Sequence, residues 1–96
     1  MNMQAMLKQA QQLQKKMMDE KKAIDEKVFE GKSSLVSVTM TGDKRVKSID
    51  FPAEAVDDIE MLQDMIVLAF NDAISKIDKE TEDKMGKYTK GMPGLF

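Results

Sequence analysis

Apolar side chains at Met3, Met6, Ala10, Leu13, Met17 and Ile24 recur at alternating three- and four-residue spacings, with Glu20 the single interruption. At about 100° per residue these positions share one stripe of a helix. No Gly or Pro breaks the run from Met1 to Gly31, so the pattern predicts an amphipathic helix over residues 3–26. Its seam is narrow, the width that packs on another helix rather than across a broad core.

The period then changes. Lys27 to Glu30 is a short stretch holding Val28 and Phe29, and reads as a first strand; Gly31-Lys32-Ser33-Ser34 has the composition of a turn. Leu35 to Thr41 alternates strictly, with Val36, Val38 and Met40 on one face and Ser37, Thr39 and Thr41 on the other. That is the pattern of a half-buried antiparallel strand. Arg45 to Phe51 resumes an extended pattern after Gly42-Asp43, which suits a primed hairpin turn because Gly accepts positive φ. Pro52 stops that strand and opens a turn, or one helical turn, through Val56.

Asp57 or Asp58 is placed to cap a second long helix, with Glu60 adding favourable charge in its first turn. This helix should run from Ile59 to about Met85, with Gly86 a candidate end. Ile59, Leu62, Ile66, Phe70, Ala73, Ile74 and Ile77 make its main apolar stripe. Met61, Met65 and Leu68 lie nearly opposite, which leaves them as the expected dimer contacts. The order is α-β-β-β-α, an α+β fold with a three-stranded antiparallel sheet and two long helices. Two free sheet edges and a helix apolar on two sides make a homodimer the economical arrangement. Residues 1–90 form one domain, and 91–96, Gly-Met-Pro-Gly-Leu-Phe, a flexible tail that cannot continue a helix.

Composition narrows the function. The 96 residues include no His and no Cys, which removes the usual general base near neutral pH and the commonest zinc ligands. A cysteine-free chain also fits a reducing cytosol. The longest apolar run, Met65 to Phe70, is far below the roughly 20 residues that span a bilayer, and the start does not read as a signal peptide. No phosphate-cradling glycine motif occurs. Asp57, Asp58, Glu60 and Asp64 form the densest carboxylate group, but they lack the spacing of a calcium loop and read as capping and helix-dipole charges. The ten Met fall mostly at core spacing and read as packing rather than as a soft-metal site. No catalytic residue, metal, cofactor or small-molecule substrate is expected.

The formal charge of −2 conceals a segregation. Residues 51–83 hold ten acids and two lysines, whereas residues 84–96 hold Lys84, Lys87 and Lys90 with no acid. On the first helix Lys8, Lys15 and Lys22 recur every seven residues, away from the apolar stripe, and Lys16 broadens the positive face. Lysines interleaved with Gln can neutralise and hydrogen-bond phosphates. They also read as an ordinary solvated helix face, and spacing alone favours that plainer reading.

Several segments then align with one family. Met3-Gln-Ala-Met-Leu-Lys-Gln-Ala-Gln-Gln-Leu-Gln-Lys-Lys-Met17 resembles the opening of the YbaB/EbfC family of nucleoid-associated proteins. Leu35-Val-Ser-Val-Thr-Met-Thr-Gly42 after Gly31, Ile49-Asp50, the run Glu60–Ile66 with Ala69–Ala73, and Met92-Pro93-Gly94 are similar to later parts of the family pattern, in order. The chain departs from many relatives in its Lys-Ser-Ser spacer after Gly31 and in lacking a Gly-rich start. The resemblance implies a tweezer-shaped homodimer in the cytoplasm and nucleoid that binds double-stranded DNA and organises the nucleoid or affects gene expression. No invariant DNA-contacting motif comes with it, so the candidate contacts follow charge: Lys8, Lys15, Lys16, Lys22, Lys84, Lys87 and Lys90. The alternative is a protein-interaction adaptor that uses exposed Met and Leu on the helices; no membrane partner is expected.

Overall fold

The computed structural model describes residues 2–91, with side chains from Asn2 to Tyr88. The elements follow the order α1 (Met3–Glu26), β1 (Val28–Ser33), β2 (Val36–Thr41), β3 (Val46–Asp50), a 3-10 helix (Ala53–Asp57) and α2 (Ile59–Gly91). The strands form one antiparallel sheet in the order β1-β2-β3. The fold is α+β with the expected α-β-β-β-α order.

α1 begins where the Asn2 side-chain oxygen accepts the Gln4 N–H at 2.9 Å, filling one of the bonds a helix N-terminus leaves open. It ends at Lys27, which turns extended. α2 is capped by Asp58, whose carboxylate accepts the Met61 N–H at 3.1 Å. Between these helices β2 alternates as its sequence demands, with Val36, Val38 and Met40 buried. They pack with Phe29 against Leu62, Met65, Ala69, Ala73 and Ile77 of α2, with Ala55 of the 3-10 helix closing the end.

β1 runs through the segment whose composition suggested a turn. Gly31 lies mid-strand beneath α2, where a Cβ would sit 2.1 Å from the Ala69 carbonyl oxygen. Its glycine permits close approach of helix and strand, and the actual turn falls at Ser34, which takes a positive φ of 49°. The β2–β3 connection also departs from a primed turn. The Thr41 N–H donates to the Arg45 carbonyl at 2.9 Å and the Lys44 N–H to the Thr41 carbonyl at 2.8 Å. Lys44, not Gly42, takes the positive φ, 65°, which is a three-residue loop with its last residue left-handed. Gly42 is needed for another reason: a Cβ there would strike the Ile24 carbonyl of α1.

α2 continues past Met85 and Gly86, because its later turns have a surface to lie on. Met85 and Tyr88 bury Ile24 of α1, with Met17 packed at the margin. The Lys87 ammonium is 3.2 Å from Glu20 Oε1, so α1 and α2 run antiparallel. The molecule is 69 Å long. The N-terminal part of α1 projects beyond the end of α2, and every residue from Asn2 to Lys16 is exposed. Met92 to Phe96, most of the expected tail, lie outside the described residues.

Candidate nucleic-acid interface

The exposed arm of α1 carries Lys8, Lys15 and Lys16, and no acid occurs between Asn2 and Met18. Lys8, Lys15 and Lys22 are exposed and, among the described residues, make no ion pair or side-chain hydrogen bond. Lys16 is also without an ion pair, though its charge helps hold the Glu20 carboxyl below the ordinary range. At 100° per residue Lys8, Lys15 and Lys22 lie opposite the Met3-Met6-Ala10-Leu13 stripe, so the arm is basic on one side and apolar on the other.

The other candidate lysines are differently placed. Lys87 is committed to the helix junction: it pairs with Glu20 and lies 5.1 Å from the Tyr88 ring centre. Glu20 raises the affinity of Lys87 for its proton against the opposing effect of burial. Burial tends to raise the Glu20 carboxyl, but Lys87 outweighs it and the net shift is downward. Lys84 stands 4.0 Å from Glu80 Oε2. The Lys90 side chain lies outside the described residues.

Most remaining cations are matched by nearby acids. Lys21 pairs with Asp25 at 2.6 Å, Lys27 with Glu80 at 2.6 Å, Lys44 with Asp78 at 3.0 Å and Lys76 with Asp72 at 3.2 Å. The Lys27–Glu80 pair lines a cleft of about 540 Å³ between β1 and α2, together with Glu30, Lys76 and Lys84 among others. Among the described residues Lys47 on β3 and Lys79 on α2 are exposed and make no ion pair, and sequence spacing did not single them out. At the opposite end from the α1 arm, Asp50, Glu54, Asp57, Asp58, Glu60 and Asp64 are all exposed, with no cation between residues 50 and 64. The molecule is therefore an electrostatic rod, positive at one tip and negative at the other. Among the described residues no carboxylate group is arranged to hold a metal ion.

The expected dimer contacts are divided by the fold. Met65 belongs to its own chain's core, 6% exposed, while Met61 and Leu68 are exposed at 53% and 58%. Met65 turns inward because Asp72 and Lys76 anchor that flank of α2 to β1: the Lys32 N–H donates to Asp72 at 3.0 Å, and Lys76 Nζ to the Glu30 carbonyl at 2.8 Å. A larger apolar surface opens on the other flank. The α2 backbone packs against β1 and β2 but, among the described residues, not against β3. All five residues of β3 are exposed. Val46 and Ile49, paired in register with the buried Met40 and Val38, share the core-facing side of the sheet. Half-buried Ile66, Phe70 and Ile74 line the adjoining flank of the helix.

A family model described as the YbaB/EbfC DNA-binding family matches residues 1–92. The chain belongs to this family. A nucleoid-associated protein of Enterococcus faecalis is 50% identical, the match covering 98% of this chain and 94% of the relative. One from Ligilactobacillus salivarius is 48% identical, over 99% of this chain and 95% of its own. Another, from Lactococcus lactis, is 50% identical over 97% and 98%. As a YbaB/EbfC protein the chain is a DNA-binding rather than a catalytic molecule, in keeping with the names its relatives carry.

Proposed function

We propose that this YbaB/EbfC protein binds duplex DNA as a homodimer, chiefly through phosphates, and acts in the cytoplasmic nucleoid in chromosome organisation or gene regulation. The observation that carries this reading is the concentration of unpaired lysines, Lys8, Lys15, Lys16 and Lys22, on one helix, with its basic arm at the end of the molecule farthest from the acids of residues 50–64. Partners respond to local field rather than to net charge, so a chain of −2 can present a basic surface. The relatives' names as nucleoid-associated proteins support the same assignment. Among the described residues no helix is long and apolar enough to cross a membrane.

Homodimerisation is supported by the uncovered β3 edge and the bare apolar surface made by Val46, Ile49, Ile66, Phe70 and Ile74. A second copy laid on this flank leaves both α1 arms free to project. Met61 and Leu68 stay exposed on the other flank and favour a second reading, an adaptor that docks a protein there.

Duplex affinity measured against salt tests the proposal. Phosphate contacts require log Kd to rise linearly with log salt; a slope near zero, or no binding at low salt, overturns it. Light scattering at micromolar concentration should report twice the chain mass. A partner captured from extract that survives nuclease treatment would favour the adaptor.

A further inference from the structure

Met3 is 76% exposed, Met6 52% and Leu13 39%, and Ala10 between them is exposed too. The same stripe is covered farther along α1, where Met17 and Ile24 pack with Met85 and Tyr88 of α2. Among the described residues none covers it beyond that contact, although its width is that of a helix-packing seam. A helical arm of this length is marginal in water on propensity alone, so a partner on the stripe would stabilise it. The spacings from Met3 through Met6 and Ala10 to Leu13 are three, four and three, the same read from either end. Such a stripe is complementary to its own antiparallel copy: Met3 falls level with Leu13 of the second copy, and Met6 with its Ala10. A twofold contact requires that self-complementarity.

We propose that the exposed stripe of α1 pairs antiparallel with the same stripe on a second copy, a contact additional to the one at the β3 flank. Continuity favours this occupant, because the second helix extends along α1 the packing that α2 begins, and runs in the direction of α2. Size favours it, since each Met6 meets a small Ala10 rather than another long side chain. Charge permits it. Lys8 is the only charged side chain from Asn2 to Gln14, and with Lys15 it faces away from the stripe. With the stripes in contact, the lysines of the two arms point outward on opposite sides. They are then about 20 Å apart, more than twice the screening length at physiological salt. One such rod can neutralise phosphates of two duplex segments, a consequence that rests on the DNA-binding reading; the pairing itself does not. Four apolar side chains from each copy make a weak contact, formed at high local concentration.

Full-length chains carrying Met6→Cys and Ala10→Cys, mixed in equal amounts and mildly oxidised, should join mainly as the mixed disulfide, read by mass under denaturing, non-reducing conditions. The natural chain has no cysteine, so no other thiol competes. Like-with-like cysteines sit about 6 Å apart along the axis in addition to the gap between helices, too far for a disulfide. Random collision gives about a twofold excess of the mixed product over either like product, and antiparallel pairing should give about tenfold. Sedimentation from micromolar to millimolar chain concentration should show the mass growing beyond its low-concentration value, and Met6→Gln/Leu13→Gln should abolish that growth. Ile49→Glu should leave the growth in place, which separates this contact from the β3 flank. No growth, growth that survives the Gln substitutions, or a statistical mixture or absence of disulfides overturns the proposal.

Discussion

Lys87 Nζ lies 3.2 Å from Glu20 Oε1, joining residues 67 positions apart. This pair, the Lys27–Glu80 pair at 2.6 Å and the contact of Ile24 with Met85 and Tyr88 share one register between the two long helices, and that register decides how far the basic arm of α1 projects. Around it Ile24, Met85 and Tyr88 form a small second core, separate from the one between sheet and α2. Reversing either charge, Glu20→Lys or Lys87→Glu, should lower the melting temperature by a few degrees and speed amide exchange in α1. The double reversal should recover most of the loss, a cycle that isolates the pair from the side chains themselves.

Acid should weaken the fold through four carboxylates. Glu30 is held below its ordinary range chiefly by the Ser37 hydroxyl, Asp43 by the Thr41 hydroxyl and Asp72 by the Lys32 N–H, while in Glu20 Lys87 overcomes the contrary effect of burial. A carboxyl lowered in the folded state binds fewer protons there than in the unfolded chain. Its stabilisation is complete above the ordinary carboxylate values, about 4, and is lost as pH falls through the lowered folded values. Lys87, raised by Glu20, and Tyr88, raised first by burial, act in the opposite direction. Their contribution is complete below about pH 10 and is lost as pH rises through the raised values. Melting temperature followed from pH 7 to 2 and from 9 to 12 should fall at both ends.

Two glycines should respond in opposite senses. Gly31→Ala forces a Cβ to 2.1 Å from a helix carbonyl and should cost about 3 kcal/mol or prevent folding. Among the described residues a Cβ at Gly86 meets only Glu82 Cγ, at 4.0 Å, so Gly86→Ala, which removes a helix-interior glycine, should stabilise by about 1 kcal/mol. Denaturant unfolding of the two variants measures both.

DNA binding should separate the lysines. Changing Lys8, Lys15 and Lys22 together to Ala should reduce the salt dependence of duplex binding by about one unit for each phosphate no longer neutralised. Lys87→Ala should act mainly on stability, because that ammonium is already paired with Glu20. An equal fall in salt slope for the two variants would place DNA at the helix junction instead.

Dimerisation should depend on the flank beside β3. Ile49→Glu, at a position 40% exposed in the single chain, should leave the fold intact and yield a monomer mass by light scattering. Leu68→Glu, on the opposite flank, should leave the dimer unchanged.

Much of the architecture was legible in local pattern. The three-four spacing of α1, the alternation of β2 and the Asp58 cap are set by neighbours in sequence, so the order α-β-β-β-α could be read directly. Glycine was ambiguous, because one residue type serves both turns and close contacts. Gly31 reads as a turn along the chain, and only the overlying α2 reveals it as a strand residue. Gly86 reads as a helix end until Ile24 of α1 gives the later turns something to cover.

By itself the sequence determined the element types, the absence of His and Cys chemistry, and the segregation of charge, because each follows from residue identity and short-range periodicity. It also carried enough ordered resemblance to indicate the family. Tertiary structure decided which charges are available and which apolar faces are already covered. Lys87 and Lys15 look alike in the chain, yet one is held by an acid 67 residues away and the other makes no ion pair among the described residues. Met65 and Met61 share a sequence stripe, yet one fills the core and the other faces solvent. Pairing and burial depend on contacts between distant segments, and the fold alone brings those segments together.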